Sequence, residues 1–122
     1  MAVLSADFVG RFTGRILNIH PSILPAFKGL NTHQRALDAG VLHHGASVHI
    51  VTAALDGGPI ILQAGLEISK DETAQTLAER VLRLEHQLLP FVLGSLVTGD
   101  LKLQNAVPHW ANHADILAAV KA

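Results

Sequence analysis

The chain has 122 residues, 49% of them apolar and 16% charged, with no cysteine and a formal net charge of -1. That length fits one domain or a large piece of one, and the apolar share can build a packed core, so disorder by composition is excluded. A near-neutral balance without a long basic run argues against binding nucleic acid or a membrane surface by bulk charge, and the lack of cysteine excludes a disulfide scaffold, a thiolate nucleophile and a thiolate zinc site.

In chain order, Val3-Leu4 reads as the end of a strand that begins almost at Met1. Asp7, Arg11 and Arg15 interrupt any apolar run there, so no secretory signal is read. No later apolar stretch is long enough to span a bilayer, and a cytoplasmic location is expected. Ser5 to Phe12 predicts a short helix, with Ser5 as its cap and Gly14 as its stop. Arg15 to His20 follows as a strand, and Pro21, Pro25 and Gly29 then punctuate a loop. Asn31 to Ala39 predicts a helix capped by Asn31 and ended by Gly40. Ala46 to Val51 alternates and is rich in β-branched residues, which predicts a strand. Leu55 to Pro59 is a turn by chemistry, since its two glycines allow positive φ and its proline bars easy continuation of a helix. Ile60 to Ile68 predicts a second strand, hairpin-paired with the first. Thr73 to Val97 is the longest helical stretch, with Leu77, Val81, Leu84 and Leu88 on one face and Pro90 expected to kink or divide it. Leu101 to Asn105 reads as a small strand and Ala114 to Val120 as a terminal helix. The fold class is α/β: helical connectors predict a mostly parallel sheet early on, with an added hairpin and a long C-terminal helix.

Two clusters have the residue types for chemistry. Asn18 and His20 point to one face of the first complete strand and sit at its C-terminal end, where open α/β sheets place ligands. An amide can donate to a developing oxyanion, and an imidazole beside it can donate or accept a proton. The second cluster is Leu55-Asp56-Gly57-Gly58-Pro59, where a carboxylate beside two glycines can be approached closely. Placed near an imidazole, Asp56 would favour the imidazolium form. Taken singly, each cluster also fits a plain structural role: Asn18 satisfying a loop, His20 a buried hydrogen-bonded residue, Asp-Gly a chain reversal. Of the eight histidines, His33 and His49 are placed to reach the same pocket, while His43-His44 lie near a turn and read as solvated or capping. No H-x3-H or H-E-x-x-H spacing supports a metal site, so none is expected. Glu85 flanks the apolar face of the long helix.

Together these segments are far more specific. N-I-H-P-S-I-L-P-A-F-K-G-L at 18–30 resembles the signature of folate-dependent formyltransferases. T-H-Q-R-A-L, H-G-A-S-V-H, L-D-G-G-P-I-I-L-Q and the later E-H at 85–86 follow in the order and spacing of glycinamide ribonucleotide formyltransferases. The resemblance covers nearly the whole chain and is weakest after about Gln104. It implies the C-terminal portion of a Rossmann-like formyltransferase fold and transfer of a formyl group from 10-formyltetrahydrofolate to the amine of glycinamide ribonucleotide. Asn18, His20 and Asp56 match the family's catalytic residues. Met1, Ala2, Val3 and Leu4 match a folate-contacting strand end, and Thr52 to Asp56 the loop that closes over the pterin. Pro21 and Glu85 match nucleotide-contacting positions, Glu85 that of a glutamate holding ribose hydroxyls. The implied partners are small molecules, with no metal.

The family's glycine-rich phosphate loop has no counterpart here: Gly10 and Gly14 surround a helix instead of following a first buried strand. The resemblance therefore implies a chain lacking the N-terminal, phosphate-binding half, with weakened phosphate recognition and either low stability or self-association through an exposed sheet edge. Asn31 stands where the family often has histidine, and Ala2 where a larger basic residue is common. The alternatives are a formyltetrahydrofolate deformylase, a methionyl-tRNA formyltransferase, whose further basic domain is not found here, or a catalytically silent fragment.

Overall fold

The computed structural model describes residues 5–12 and 14–111. In order these form helix α1 (Ala6–Arg11), strand β1 (Leu17–His20), helix α2 (Thr32–Ala39), strands β2 (His43–Ile50) and β3 (Ile60–Glu67), helix α3 (Ala74–Thr98) and short strands β4 (Leu101–Gln104) and β5 (Val107–Trp110). The expected strand end at Met1–Leu4 and the expected helix at Ala114–Val120 lie outside the described residues.

Strands β1, β2 and β3 form one sheet in that order, and β4 pairs with β5 in a separate ribbon. Alternation sorts the side chains of the sheet. Ala46, Val48 and Ile50 of β2 join Leu77, Val81, Leu84, Leu88 and Val92 of α3 in the core, and Leu17 and Ile19 of β1 pack against it. Asn18 and His20 take the other parity, opposite His49 and Ser47. Directly opposed residues of antiparallel strands share a face, so these four polar side chains lie on the side of the sheet away from the α3 core.

The α/β class and the long helix are as expected, but every pairing among the described strands is antiparallel, not mostly parallel. The cause is the β1–β2 connection. Thr32 Oγ1 at the start of α2 donates to the Pro21 carbonyl at 2.7 Å, which ties the helix to the end of β1. The chain is not carried back to the start of β1, so β2 begins beyond His20 and runs in reverse. A helical connector alone thus does not imply a parallel crossover.

Helix α3 opens with a capping box between Thr73 and Thr76 and closes on Gly99 in the left-handed region. It runs unbroken through Pro90, contrary to a division there. Pro90 lies on the exposed side of the helix, so the carbonyl left without its usual N–H is offered to water and not to the core. Asn31 precedes α2 as expected but sits in the left-handed region (φ 55) without a side-chain cap. Strand β5 carries no obvious sequence signal, because its hairpin turns through Asn105 and Ala106 (φ 54 and 58) with no glycine to mark a turn of that hand.

Candidate active site

His20 ends β1 and is fully buried. Its Nε2 lies 2.8 Å from the Phe27 carbonyl oxygen. A carbonyl can only accept, so Nε2 carries a hydrogen. Nδ1 then faces Asp56, 3.6 Å from Oδ1. His49 mirrors this arrangement: its Nδ1 donates to the Ile50 carbonyl at 3.2 Å and its Nε2 lies 3.8 Å from the same Asp56 oxygen. Both inward nitrogens are buried without a hydrogen-bond partner among the described residues. One carboxylate oxygen therefore faces two imidazoles whose outer nitrogens are already committed as donors. A proton on either inward nitrogen converts a contact between lone pairs into an ion pair.

Asp56 sits on the β2–β3 connection in the left-handed region (φ 48), which aspartate tolerates better than most residues. The sequence reading gives Gly57 and Gly58 as the residues with freedom for positive φ; the structure puts that conformation on Asp56 itself. Gly58 is required for space, since a Cβ there would stand 1.7 Å from the Ile50 carbonyl oxygen. The other Asp56 oxygen, Oδ2, accepts from the Gly29 N–H at 2.8 Å. Across from this loop, β3 carries a register shift against Val48–His49 beside the site, where bulges commonly re-aim side chains.

The loop after β1 crosses the polar face of the sheet and is tied down by a buried network. Ser47 Oγ donates to the Ser22 carbonyl at 2.7 Å and accepts from the Leu24 N–H at 3.0 Å and Gln63 Nε2 at 2.9 Å. Gln63 Nε2 also donates to the Leu24 carbonyl at 2.8 Å. Sheet residues thereby fix the loop whose Phe27 carbonyl and Gly29 N–H meet His20 and Asp56.

Asn18 is half-buried, and its amide has no hydrogen-bond partner among the described residues, so it is available to a ligand. Thr52 is half-buried and its hydroxyl accepts from the Ala54 N–H at 3.3 Å. Pro21 contributes the carbonyl that anchors Thr32. Glu85 is half-buried on α3; burial pushes its carboxyl up from the usual range, and His86 and then His20 oppose the shift. Met1 to Leu4 lie outside the described residues.

His44 departs from the sequence reading of a solvated or capping residue: it is 1% exposed, under α2. Its Nε2 lies 3.1 Å from His33 Nδ1. Burial, then His33 and His20, push its imidazole down to about 4. Burial and then His20 also lower His33. The pair is thus held neutral, one ring donating and the other accepting. Among the described residues no group of three or more histidine, aspartate or glutamate side chains could hold a metal ion.

The sequence reading missed the main-chain groups of Phe27 and Gly29, which carry no side-chain signature. It placed His49 in reach of the pocket without a role; the signal lay in its alternation with Ser47 on one strand.

The comparisons bear on this geometry. Residues 1–93 match the model of the formyl transferase family. The chain is 46% identical over 103 residues to phosphoribosylglycinamide formyltransferase of Escherichia coli, covering 84% of this chain and 49% of the relative. It is 45% identical over 103 residues to the trifunctional purine biosynthetic protein adenosine-3 of Bos taurus, covering 84% of this chain and 10% of that one. Among solved structures, phosphoribosylglycinamide formyltransferase from Anaplasma phagocytophilum superposes with a TM-score of 0.88 at 37% identity, covering 95% of this chain and 57% of that one. The chain spans about half the length of the bacterial relatives it matches. On the family match and the fold together, the chain belongs to the formyl transferase family.

Proposed function

We propose that the chain carries the reacting groups for transfer of a formyl group from 10-formyltetrahydrofolate to the primary amine of glycinamide ribonucleotide. The observation that carries this reading is the buried His20 Nδ1 aimed at Asp56 with the unpartnered Asn18 amide two residues before it. The relatives' names supply the formyl group and its acceptor, and the folate donor follows the name of a superposing deformylase.

In this reading the amine attacks the formyl carbon. A carbon–nitrogen bond forms to the acceptor, and the bond from that carbon to the folate nitrogen breaks. The carbonyl oxygen becomes an oxyanion in between, and the Asn18 amide and a protonated His20 offer it hydrogen-bond donors. Because Nε2 is committed to Phe27, the nitrogen open to chemistry is Nδ1. It stands 3.6 Å from Asp56, beyond direct hydrogen-bond contact, and in this reading the carboxylate takes the proton lost by the amine. That proton ends on the folate nitrogen, so His20 and Asp56 are returned unchanged. Asp56 Oδ1 faces the His20 ring from one side, and His49 faces the same oxygen from the other. Met1 to Leu4 and Thr52 to Asp56 would contact the folate, while Pro21 and Glu85 would contact the nucleotide. A carboxylate at Glu85 suits ribose because it can accept from two hydroxyls.

A second reading is hydrolysis, because a formyltetrahydrofolate deformylase from Pseudomonas syringae also superposes, with a TM-score of 0.82 at 26% identity. The two readings differ in acceptor. Incubating the chain with 10-formyltetrahydrofolate, with and without glycinamide ribonucleotide, separates them. Formylated ribonucleotide in the first mixture, absent with His20→Ala, supports transfer. Free formate at the same rate in both mixtures overturns it in favour of hydrolysis.

A further inference from the structure

We propose that Arg35 is a positioning residue of this site, locking the Lys28–Gly29 peptide so that the Gly29 N–H stays on Asp56. This rests on the formyl-transfer reading for its consequence in turnover, but its geometry stands apart from that reading.

Arg35 projects from α2 back over the preceding loop. Its Nη1 donates to the Lys28 carbonyl at 2.6 Å and to the Leu30 carbonyl at 3.0 Å. Its guanidinium carbon also stands 5.7 Å from the centroid of the Phe27 ring. The Lys28 carbonyl and the Gly29 N–H belong to one peptide unit. Arg35 therefore holds the oxygen of that unit while Asp56 Oδ2 holds its hydrogen at 2.8 Å. A cation on the oxygen strengthens the N–H as a donor and fixes the plane of the peptide.

The lock is needed because this segment does not hold itself. Phe27 and Asn31 are non-glycine residues at φ 52 and 55, and Gly29 between them is at φ 87. Left-handed backbone is unfavourable for a non-glycine residue, and glycine lets an adjacent peptide rotate with little steric resistance. A rotated Lys28–Gly29 peptide would present a carbonyl to Asp56 in place of the N–H. Among the described residues, side-chain hydrogen bonds to the backbone of 27–30 come from His20, Asp56 and Arg35 alone. Two of those three are reacting groups in the proposed chemistry. Arg35 is the one that fixes the strap independently of them.

The test is amide hydrogen exchange, followed by NMR on the whole chain without ligands, in the unsubstituted protein, Arg35→Met and Arg35→Lys. Arg35 is exposed, and the amides of α3 report whether each variant is folded. In Arg35→Met the Gly29 amide exchanges about tenfold faster or more while α3 protection is unchanged, as loss of a charge-assisted hydrogen bond predicts. Arg35→Lys, which keeps a cationic donor, recovers part of that protection. Gly29 protection in a folded Arg35→Met equal to that of the unsubstituted chain overturns the lock. For the positioning role, kcat for formyl transfer falls about tenfold or more in Arg35→Met with KM for the amine unchanged. Lost Gly29 protection with unchanged kcat overturns that role. A lack of formyl transfer by the unsubstituted chain counts against the function reading and leaves the exchange result to decide the lock.

Discussion

Replacing Ser47 by alanine removes the hub between the sheet and the loop that serves His20 and Asp56. Ser47 is fully buried, and its hydroxyl donates once and accepts twice. Alanine keeps the packing almost intact but leaves the Ser22 carbonyl and the Leu24 N–H unpaired in buried surroundings. Gln63 keeps its bond to the Leu24 carbonyl, so two orphaned backbone groups remain. Each costs about 1–3 kcal/mol, and partial relaxation puts the expected loss at roughly 2–4 kcal/mol. That is a large part of the stability of a domain of this size, about 5–15 kcal/mol. Urea unfolding measures it: the midpoint falls while the slope stays constant, because the exposed surface is the same. A loss below about 0.5 kcal/mol, the range of an ordinary surface substitution, would refute the claim that this hydroxyl holds the loop.

Stability depends on pH through His44. Its folded value of about 4 lies below the 6.5 of the unfolded chain, so within that window the unfolded chain binds a proton that the fold excludes. Stability therefore rises with pH between those values and is flat above them, by at most about 3 kcal/mol. Glu85, pushed up, acts in the opposite direction. The informative quantity is thus the difference between the unsubstituted chain and His44→Gln in urea unfolding at pH 5 and pH 7.5, and an equal pH response in both chains would contradict the assignment. Gly58→Ala drives a Cβ into the Ile50 carbonyl and is expected to cost more than about 2 kcal/mol in a thermal melt. Gly94→Ala in α3, where a Cβ meets nothing within 4 Å, is expected to gain about 0.5–1 kcal/mol, and a loss at Gly94 would count against the packing described. Glu85→Gln should raise KM for the nucleotide about tenfold with little change in kcat, and the reverse pattern in steady-state kinetics would remove Glu85 from nucleotide binding.

The sequence made the elements legible wherever a local rule had little competition. The stripe of Leu77, Val81, Leu84 and Leu88 marked α3, and the alternation in 46–51 marked β2. Strand direction was not legible, because the point at which the chain leaves α2 and enters β2, beyond His20, is set by tertiary packing with no local signature. Ala106 in a left-handed turn hid β5, since the rule that finds such turns looks for glycine. For the site, Asn18, His20 and Asp56 stood out by residue type once their motifs were read together. What orients them did not, because the Phe27 carbonyl and the Gly29 N–H are main-chain groups available to any residue. His44 was misread from its place beside a predicted turn; it is buried with the His33 and Phe27 rings against it, contacts that no local pattern encodes.

The account rests on His20 and Asp56 acting as one unit, and a double-mutant cycle on kcat/KM for formyl transfer tests that most directly. The chains compared are the unsubstituted protein, His20→Ala, Asp56→Asn and the double variant. If Asp56 works through the His20 ring, the double variant loses little more than the worse single one, because removing either disables the same pair. Losses that multiply across the two sites would show that the residues act independently and would contradict the 3.6 Å pairing as the basis of the chemistry.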